Sequence, residues 1–308
     1  MPSANYVFPA AAGWANLPQG NWSPILFSKK VLPFFRTASV ISEITTTEYI
    51  GEIKGMGSEV EIIKEPVFTT QSYSRGKKLL SQAINDSKST LAINDALYTQ
   101  FEMDDIEAAF SHVGWAGLAQ SSAAYSLKNQ YDRTILTDML ATATLGNATT
   151  GIGTNATPAE VGFDAGDDFT PMNYIARFAR ILDENDIPEE GRFFVASPAF
   201  YELLAGEDSK LIDVSVTGDP MSVVRQRKLA TNRQVHGFTM FKSNNLPTSA
   251  AGHKVVFAGH TGAYATATAI TNSEVLRNHE TFGDIYRSLL VFGKGILRPE
   301  AIFAGVWQ

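Results

Sequence analysis

The side chains most able to do chemistry are the five histidines and two pairs of neighbouring aspartates. The histidines lack the HExxH spacing of a metal site, and His253 and His260 flank a predicted strand, which places them at its opposite ends. Asp104-Asp105 and Asp167-Asp168 stand at predicted helix starts, where the helix dipole favours carboxylates. We therefore predict structural roles for these residues. The other histidines are His112, His236 and His279.

Two glycine-bearing stretches could bind phosphate, but neither has the required context. Gly151-Ile152-Gly153 neither follows a core strand nor opens a helix, as a dinucleotide fingerprint does. Lys54-Gly55-Met56-Gly57 lacks the order of a phosphate loop, and no GxSxG nucleophile elbow is present. The absence of cysteine excludes disulfides, thiolate metal ligands and cysteine nucleophiles. We expect no catalytic residue, no cofactor and no metal site, so the sequence does not predict an enzyme.

The charge balance also limits the partners. A net charge of −7 opposes nucleic-acid binding, which relies on clustered Lys and Arg. The basic stretch Arg225–Lys228 with Arg233 is expected to cap a helix or meet acidic neighbours. No apolar run approaches the roughly 18 residues of a membrane span. The first 20 residues lack the basic start and apolar core of a signal peptide, which predicts a protein made in the cytoplasm.

The elements that organise the chain centre on a predicted long helix from Asp104 to about residue 141. Asp104 and Glu107 have capping-box spacing, and apolar residues then recur every three or four positions as far as Leu140. A helix of about 36 residues would be about 54 Å long. The alternative is two helices broken at Gly114 or Gly117. The small side chains in its middle are expected to let another backbone lie close.

A polar hairpin is predicted over residues 48–72. Its strand candidates are Tyr49–Ile53 and Val60–Ile63, joined by a glycine-bearing turn. Because these strands carry few bulky apolar residues, we expect the hairpin to project or to lie on something outside its own domain. The sequence LAINDALYTQFEM is then predicted to return as a strand into the long helix.

The N-terminal region combines many prolines with large aromatic residues. Prolines prevent a long helix or strand there, so the aromatic residues predict an extended arm that lies on a partner. The alternative is that the region is a flexible tail. The sequence of residues 35–47 is compatible with either a strand or a short helix. Subunit contacts are predicted for aromatic residues of the arm and charged residues of the hairpin region: Tyr6, Phe8, Trp14, Trp22, Phe27, Glu52, Lys54, Glu59, Glu61, Lys64 and Arg75.

The rest of the chain, after the long helix, mixes helices and strands without regular alternation, which predicts an α+β fold. Residues 146–168 are predicted to form a loop. Helices are predicted after Thr170-Pro171, Ser197-Pro198 and Asp219-Pro220. Strands are predicted at 191–196, 237–242, 254–258 and within 270–307, most clearly at 288–292 and 301–307.

The order of these elements resembles the major capsid proteins of tailed phages, the Hong Kong 97-like fold. The sequence from Gly51 to Glu107 resembles that family's extended loop, which leads into its spine helix. IPEEGRFFVASPAFY resembles a passage of its axial domain. HGFTMFKSNNLP with GHKVVFAGHTGAYATA resembles its glycine-led strand, turn and next strand. NHETFGDIYRSLLVFGKGILRPEAIFAGVW resembles its closing strands.

The resemblance implies a division into an N-terminal arm (1–47), an extended loop with return strand (48–103), a spine helix of the peripheral domain (104–149), an axial domain (150–261) and closing strands shared between the peripheral and axial domains (262–308). It implies a virion subunit that forms hexamers and pentamers of an icosahedral head around double-stranded DNA. It also implies a portal, a separate scaffolding protein and a decoration protein as partners. The alternative is an encapsulin-like compartment for cargo enzymes.

Overall fold

A computed structural model describes residues 39–48, 59–66, 68–79, 81–82, 87–110, 115–145, 151–164, 166–205 and 234–308. Several predictions fall outside these ranges. They are the aromatic arm with Tyr6, Phe8, Trp14, Trp22 and Phe27, the hairpin segment with Glu52 and Lys54, the helix after Asp219 and the basic stretch at 225–233.

The helices are α1 (Ile41–Ile44), α2 (Asp105–Phe110), α3 (Trp115–Thr142), α4 (Pro171–Glu184) and α5 (Pro198–Leu204). The strands are β1 (Glu59–Lys64), β2 (Ser87–Asp104), β3 (Thr144–Leu145), β4 (Arg192–Ala196), β5 (Gln234–Val235), β6 (Phe238–Lys242), β7 (Lys254–His260), β8 (Tyr264–Arg277), β9 (Gly283–Ile296) and β10 (Ile302–Trp307). The predicted α+β class is confirmed.

A mixed six-stranded sheet, the central sheet, forms the middle layer in the order β3-β10-β7-β4-β6-β5. β4 runs parallel to β6, and β10 runs parallel to β3. All five residues of β4 and all six of β10 are buried. Alternate residues of these strands point to opposite faces, so the continuous apolar runs in the sequence reflect packing on both sides.

One face of the central sheet is covered by α4 and α5. The Thr170 hydroxyl caps α4 by accepting a hydrogen bond from the N–H of Asn173 at 3.3 Å, and Pro171 opens the helix, as the sequence predicted. The helix then places Tyr174 and Phe178 against Phe194 of β4. The aromatic side chains of this cluster meet edge to face or tilted, at centroid distances of 5.2–6.1 Å.

The other face of the central sheet packs against α1, the C-terminal half of α3 and the base of the second sheet. Ile135, Leu136 and Met139 of α3 are fully buried there, together with Phe257 of β7. The short helix α1 settles the open choice for residues 35–47 in favour of helix at Ile41–Ile44. The central sheet is therefore a core layer enclosed by helices on both faces.

The second sheet, here the outer sheet, is antiparallel throughout, in the order β1-β2-β9-β8. Its strands β8 and β9 have 14 residues each, a length of about 46 Å at roughly 3.3 Å per residue. The described partner of β1 is the return strand β2, in a register from Glu59 opposite Ala92 to Lys64 opposite Ser87. The predicted return strand is confirmed, and it also forms the second arm of the described hairpin.

The spine helix α3 runs for 28 residues and passes Gly117 without a break. Asp104 accepts a hydrogen bond from the N–H of Ile106 at 2.7 Å at the start of α2, as predicted for a capping residue. The link between α2 and α3 at residues 111–114 lies outside the described ranges. A Cβ placed on the exposed Gly117 would meet nothing within 4 Å, so the predicted close approach of a backbone is not made within the subunit at this position.

The loop before α4 corrects the interpretation of the second aspartate pair. Asp167 accepts a hydrogen bond from the N–H of Asp164 at 2.7 Å and so stabilises a turn. The capping residue of α4 is Thr170 alone, so Asp167 serves the loop rather than the helix start. Among the helices of the described ranges, none is long and apolar enough to cross a membrane.

Candidate subunit-contact surface

In the outer sheet, strands β2, β9 and β8 present one face that is directed away from α3. This face is called the outer face here. Direct cross-strand pairing places Tyr98 beside Leu289, with Asn272 on the far side of Leu289. The opposite, inner face carries Leu97, Leu290 and Phe292, which pack with residues of α3. The outer face consists of Tyr98, Gln100, Glu102, Asn272, Glu274, Leu276, Ile285, Arg287 and Leu289.

Apolar side chains on the outer face are uncovered. Tyr98 is 76% exposed, and Leu276 and Leu289 are both more than a third exposed. Isolated exposed apolar residues are common on protein surfaces, but Tyr98 and Leu289 lie directly opposite each other on paired strands. Leu276 lies two rows further along the same face, beyond the polar row of Gln100, Arg287 and Glu274. Exposed apolar neighbours of this kind, with polar residues beside them, are typical of a binding surface.

Charged side chains at the end of this sheet are mostly satisfied within the subunit. Arg277 pairs with Asp105 at the start of α2 and with Asp284, and its guanidinium holds the pKa of Asp105 below the ordinary value. Hydrogen bonds from Thr281 and Asn278 lower the pKa of Glu102. These contacts fix the end of the sheet, so the surface offered to a partner has a defined shape.

A second set of exposed apolar residues lies at the end of β1 and in the segment after it. Ile63, Phe68, Tyr73 and Leu79 are each more than half exposed, with Leu79 at 79%. Within the described residues of this segment, Gln82 accepts a hydrogen bond from the N–H of Thr69 and donates one to the carbonyl of Thr69. Because large apolar groups on an irregular segment gain free energy from burial, this segment is also suited to contact with a partner.

The predicted contact residues of this region take different positions. Glu59, Glu61 and Arg75 are exposed, as a contact role requires, and Lys64 is half-buried. Glu61, however, forms an exposed ion pair with Lys88 of the neighbouring strand, and such pairs contribute little. Sequence reasoning emphasised these charges and missed the apolar residues between them. The signal was the non-periodic spacing of large apolar residues through VFTTQSYSRGKKLL.

An ionic cluster joins the outer sheet to the spine helix. The ammonium of Lys294 on β9 lies 2.9 Å from Asp95 on β2 and 3.5 Å from Asp138 on α3. Burial opposes the charge on Lys294, yet the two carboxylates outweigh it and raise the pKa of the lysine. The Tyr264 hydroxyl donates to Asp138, and burial followed by this contact raises the pKa of the tyrosine. The cluster therefore fixes the sheet against the helix.

A polar cleft of about 980 Å³ lies near the base of the outer sheet, between residues 45–48, 62–65, 260–262 and 297–300. His260, at its edge, accepts a hydrogen bond from the N–H of Gly262 at 3.0 Å and thereby stabilises a turn. This contact gives His260 the structural role that the sequence predicted. Within the described ranges, no group of three or more metal-ligating side chains is present.

Comparison with known proteins gives structural matches only. No protein-family model and no curated protein matches the sequence. A structure from Mycobacterium phage Che8 matches with a TM-score of 0.77 and 23% identity, over 93% of this chain and 98% of that chain. The capsid structure of cyanophage P-SCSP1u matches with a TM-score of 0.69 and 18% identity, over 99% of each chain.

A third structure, the asymmetric unit of the bacteriophage PhiM1 mature capsid, matches with a TM-score of 0.68 and 17% identity, over 97% of this chain and 99% of that chain. The three matches extend along nearly the whole of both chains, and they agree with the predicted order of hairpin, spine helix and mixed α+β region. The chain therefore has the fold of these phage structures, the Hong Kong 97-like fold.

Proposed function

We propose that the chain is a major capsid subunit that assembles with copies of itself into the closed head of a tailed phage. The observation that carries this proposal is the likeness to phage capsid structures over nearly the full length of both chains. In that role the chain is a structural protein of the virion, made in the cytoplasm of a bacterial host, rather than an enzyme. Its shell consists of hexamers and pentamers.

The exposed apolar surfaces support self-association. Tyr98 and Leu289 of the outer face, and Phe68 and Leu79 of the segment after β1, have large areas uncovered within the subunit. Each contact of this size is modest, but a closed symmetric shell repeats it many times. Glu59, Glu61 and Lys64 of β1, with Arg75 of the segment after it, form the polar rim of the contact that this segment makes.

The acidic character of the chain fits a shell around packaged DNA. A net charge of −7 gives repulsion from phosphate, so the shell holds DNA by enclosure rather than by a specific nucleic-acid site. The division into arm (1–47), extended loop (48–103), spine helix (104–149), axial domain (150–261) and closing strands (262–308) belongs to this proposal. So do a portal, a separate scaffolding protein and a decoration protein as partners.

The direct test is expression of the full chain followed by electron microscopy and sedimentation. We expect closed shells, or hexamers and pentamers that close when a scaffolding protein is supplied. A strictly monomeric chain under both conditions would contradict the proposal. The alternative is an encapsulin-like compartment. Shells that co-purify with a cargo enzyme and package no DNA would support it.

The N-terminal arm provides a second test. Deletion of residues 2–28 removes Tyr6, Phe8, Trp14, Trp22 and Phe27, which we propose to lie against another chain. The truncated subunit should keep its helix content and thermal transition, measured by circular dichroism, and should fail to form stable shells. Unfolding of the truncated subunit, or normal shells from it, would contradict this role of the arm.

A further inference from the structure

An apolar groove of about 410 Å³ lies between α3 and the inner face of the outer sheet. Leu127 and Tyr131 line it from the helix and Leu290 lines it from β9, and each of these side chains is only half-buried. Ser39, the first described residue of the chain, lies on the same groove. The groove is therefore incompletely filled apolar surface next to the point where the described chain begins.

A buried carboxylate fixes the direction in which the chain reaches this point. The hydroxyl of Ser39 donates to Asp132 on α3 at 2.7 Å, and Asp132 is only 1% exposed. The backbone N–H of Val40 and the side chain of Asn245 also donate to this carboxylate. A buried carboxylate with several donors is costly to displace. The residues before Ser39 must therefore start from the rim of the groove.

We propose that residues 31–38 of the same chain occupy this groove, with Phe34 and Phe35 as its main apolar occupants. The segment reads VLPFFRTA, so two adjacent aromatic residues stand four and five positions before the fixed Ser39. An extended chain covers about 13 Å in four residues, which is enough to place Phe35 inside a groove that begins at Ser39. Pro33 disfavours a helix through the segment and suits an extended course.

The groove binds residues 31–38 of its own chain in preference to those of another copy, because these residues are covalently connected to Ser39 at its rim. A short tether gives an effective concentration in the millimolar range, far above that of free subunits. The inference divides the first 38 residues into two parts with different partners. Residues 31–38 complete the subunit to which they belong, whereas the aromatic residues between Tyr6 and Phe27 remain available to a neighbouring chain. This division does not depend on shell formation.

The absence of natural cysteines allows a clean cross-linking test on unassembled subunits. Leu127→Cys places one thiol in the groove, and a second thiol is introduced in turn at each position from 31 to 38. A disulfide forms only where the two Cα atoms approach within about 7 Å. Tyr98→Cys on the outer face of the same sheet is the matched control for each second thiol. Mobility on non-reducing gels separates links within one chain from links between chains.

We expect a link within one chain between Leu127→Cys and Phe34→Cys or Phe35→Cys, and none with Tyr98→Cys. Deletion of residues 31–38 should also raise the maleimide labelling rate of Leu127→Cys by at least about tenfold, which corresponds to about 1.4 kcal/mol of docking. Links only between chains would overturn the proposal, because the groove would then hold a neighbour's segment. Absence of any link, or equal linking to both faces, would overturn it as well.

Discussion

The central sheet and the outer half of the outer sheet use the same backbone pairing but bury their side chains differently. All six residues of β10 in the central sheet are buried, whereas Asn272–Arg277 of β8 in the outer sheet are all exposed. Helices cover both faces of the first region, and α3 covers part of one face of the second. Stability in the central sheet is therefore contained within the subunit, while the outer sheet keeps apolar surface that another chain can cover.

The largest effect is expected where this contrast is strongest. Phe194→Ala removes a fully buried ring that meets Phe178, Phe200 and Phe238 in the central core. Loss of transfer free energy together with the resulting cavity should lower the free energy of unfolding by about 3–5 kcal/mol. Urea denaturation of the subunit measures this change. A cost below about 1 kcal/mol would show that the core rearranges to fill the space.

Two glycines give the next test, because a methyl group has opposite consequences in the two environments. In the central strand β10, a Cβ at Gly305 would lie 2.6 Å from the Phe178 ring and also overlap the Tyr174 hydroxyl. Gly305→Ala should destabilise the subunit by about 1–3 kcal/mol through overpacking. Gly117→Ala, in exposed helix, should instead stabilise it by up to about 1 kcal/mol. Thermal unfolding measures both variants. A change in midpoint temperature of the same sign for both would contradict the distinction between the two sites.

The ionic cluster at the junction of sheet and spine helix should show an intermediate effect. Lys294→Met leaves Asp95 and Asp138 near each other without their shared cation, which should cost about 1–3 kcal/mol. Lys88→Met is the control, because its ion pair with Glu61 is exposed and such pairs contribute about 0–1 kcal/mol. Denaturation of both variants measures the difference. An equal response would mean that the cluster does not join the two regions.

The smallest effect on the isolated subunit is expected on the outer face. Tyr98→Ser should change the free energy of unfolding by less than about 0.5 kcal/mol, because the ring is already exposed to water. The same change should nevertheless reduce the yield of shells, measured by sedimentation. Gln100→Ser on the same face and strand is the control and should reduce the yield much less, because it removes no apolar ring. Normal assembly of Tyr98→Ser would mean that this face is not a subunit contact.

Local sequence signals predicted the elements whose ends depend on nearby residues. Thr170-Pro171 marked the start of α4, Ser197-Pro198 marked the start of α5, and the apolar run after Gly191 marked β4. Caps and proline act within one turn, so one stretch of sequence contains the necessary information. The order of the elements was also sufficient to indicate the fold.

Pairing between distant segments was less accessible. The described partner of β1 is β2, about thirty residues along the chain, and the register between them depends on side-chain packing as well as on alternation. The candidate contact residues show the same limit. Charges at Glu59, Glu61, Lys64 and Arg75 were visible as a polar pattern, but Glu61 meets Lys88 only when the two strands pair.

The sequence by itself determined the α+β class, the start of α2 at Asp104, the buried strands of the central sheet and the absence of thiol chemistry. Each follows from residue type and local spacing. Only the tertiary structure decided that Tyr98 and Leu289 are exposed neighbours on paired strands, that Lys294 contacts two carboxylates, and that a groove lies beside Ser39. The physical reason is that exposure and pairing depend on which distant segments meet, and no single stretch of the chain contains that information.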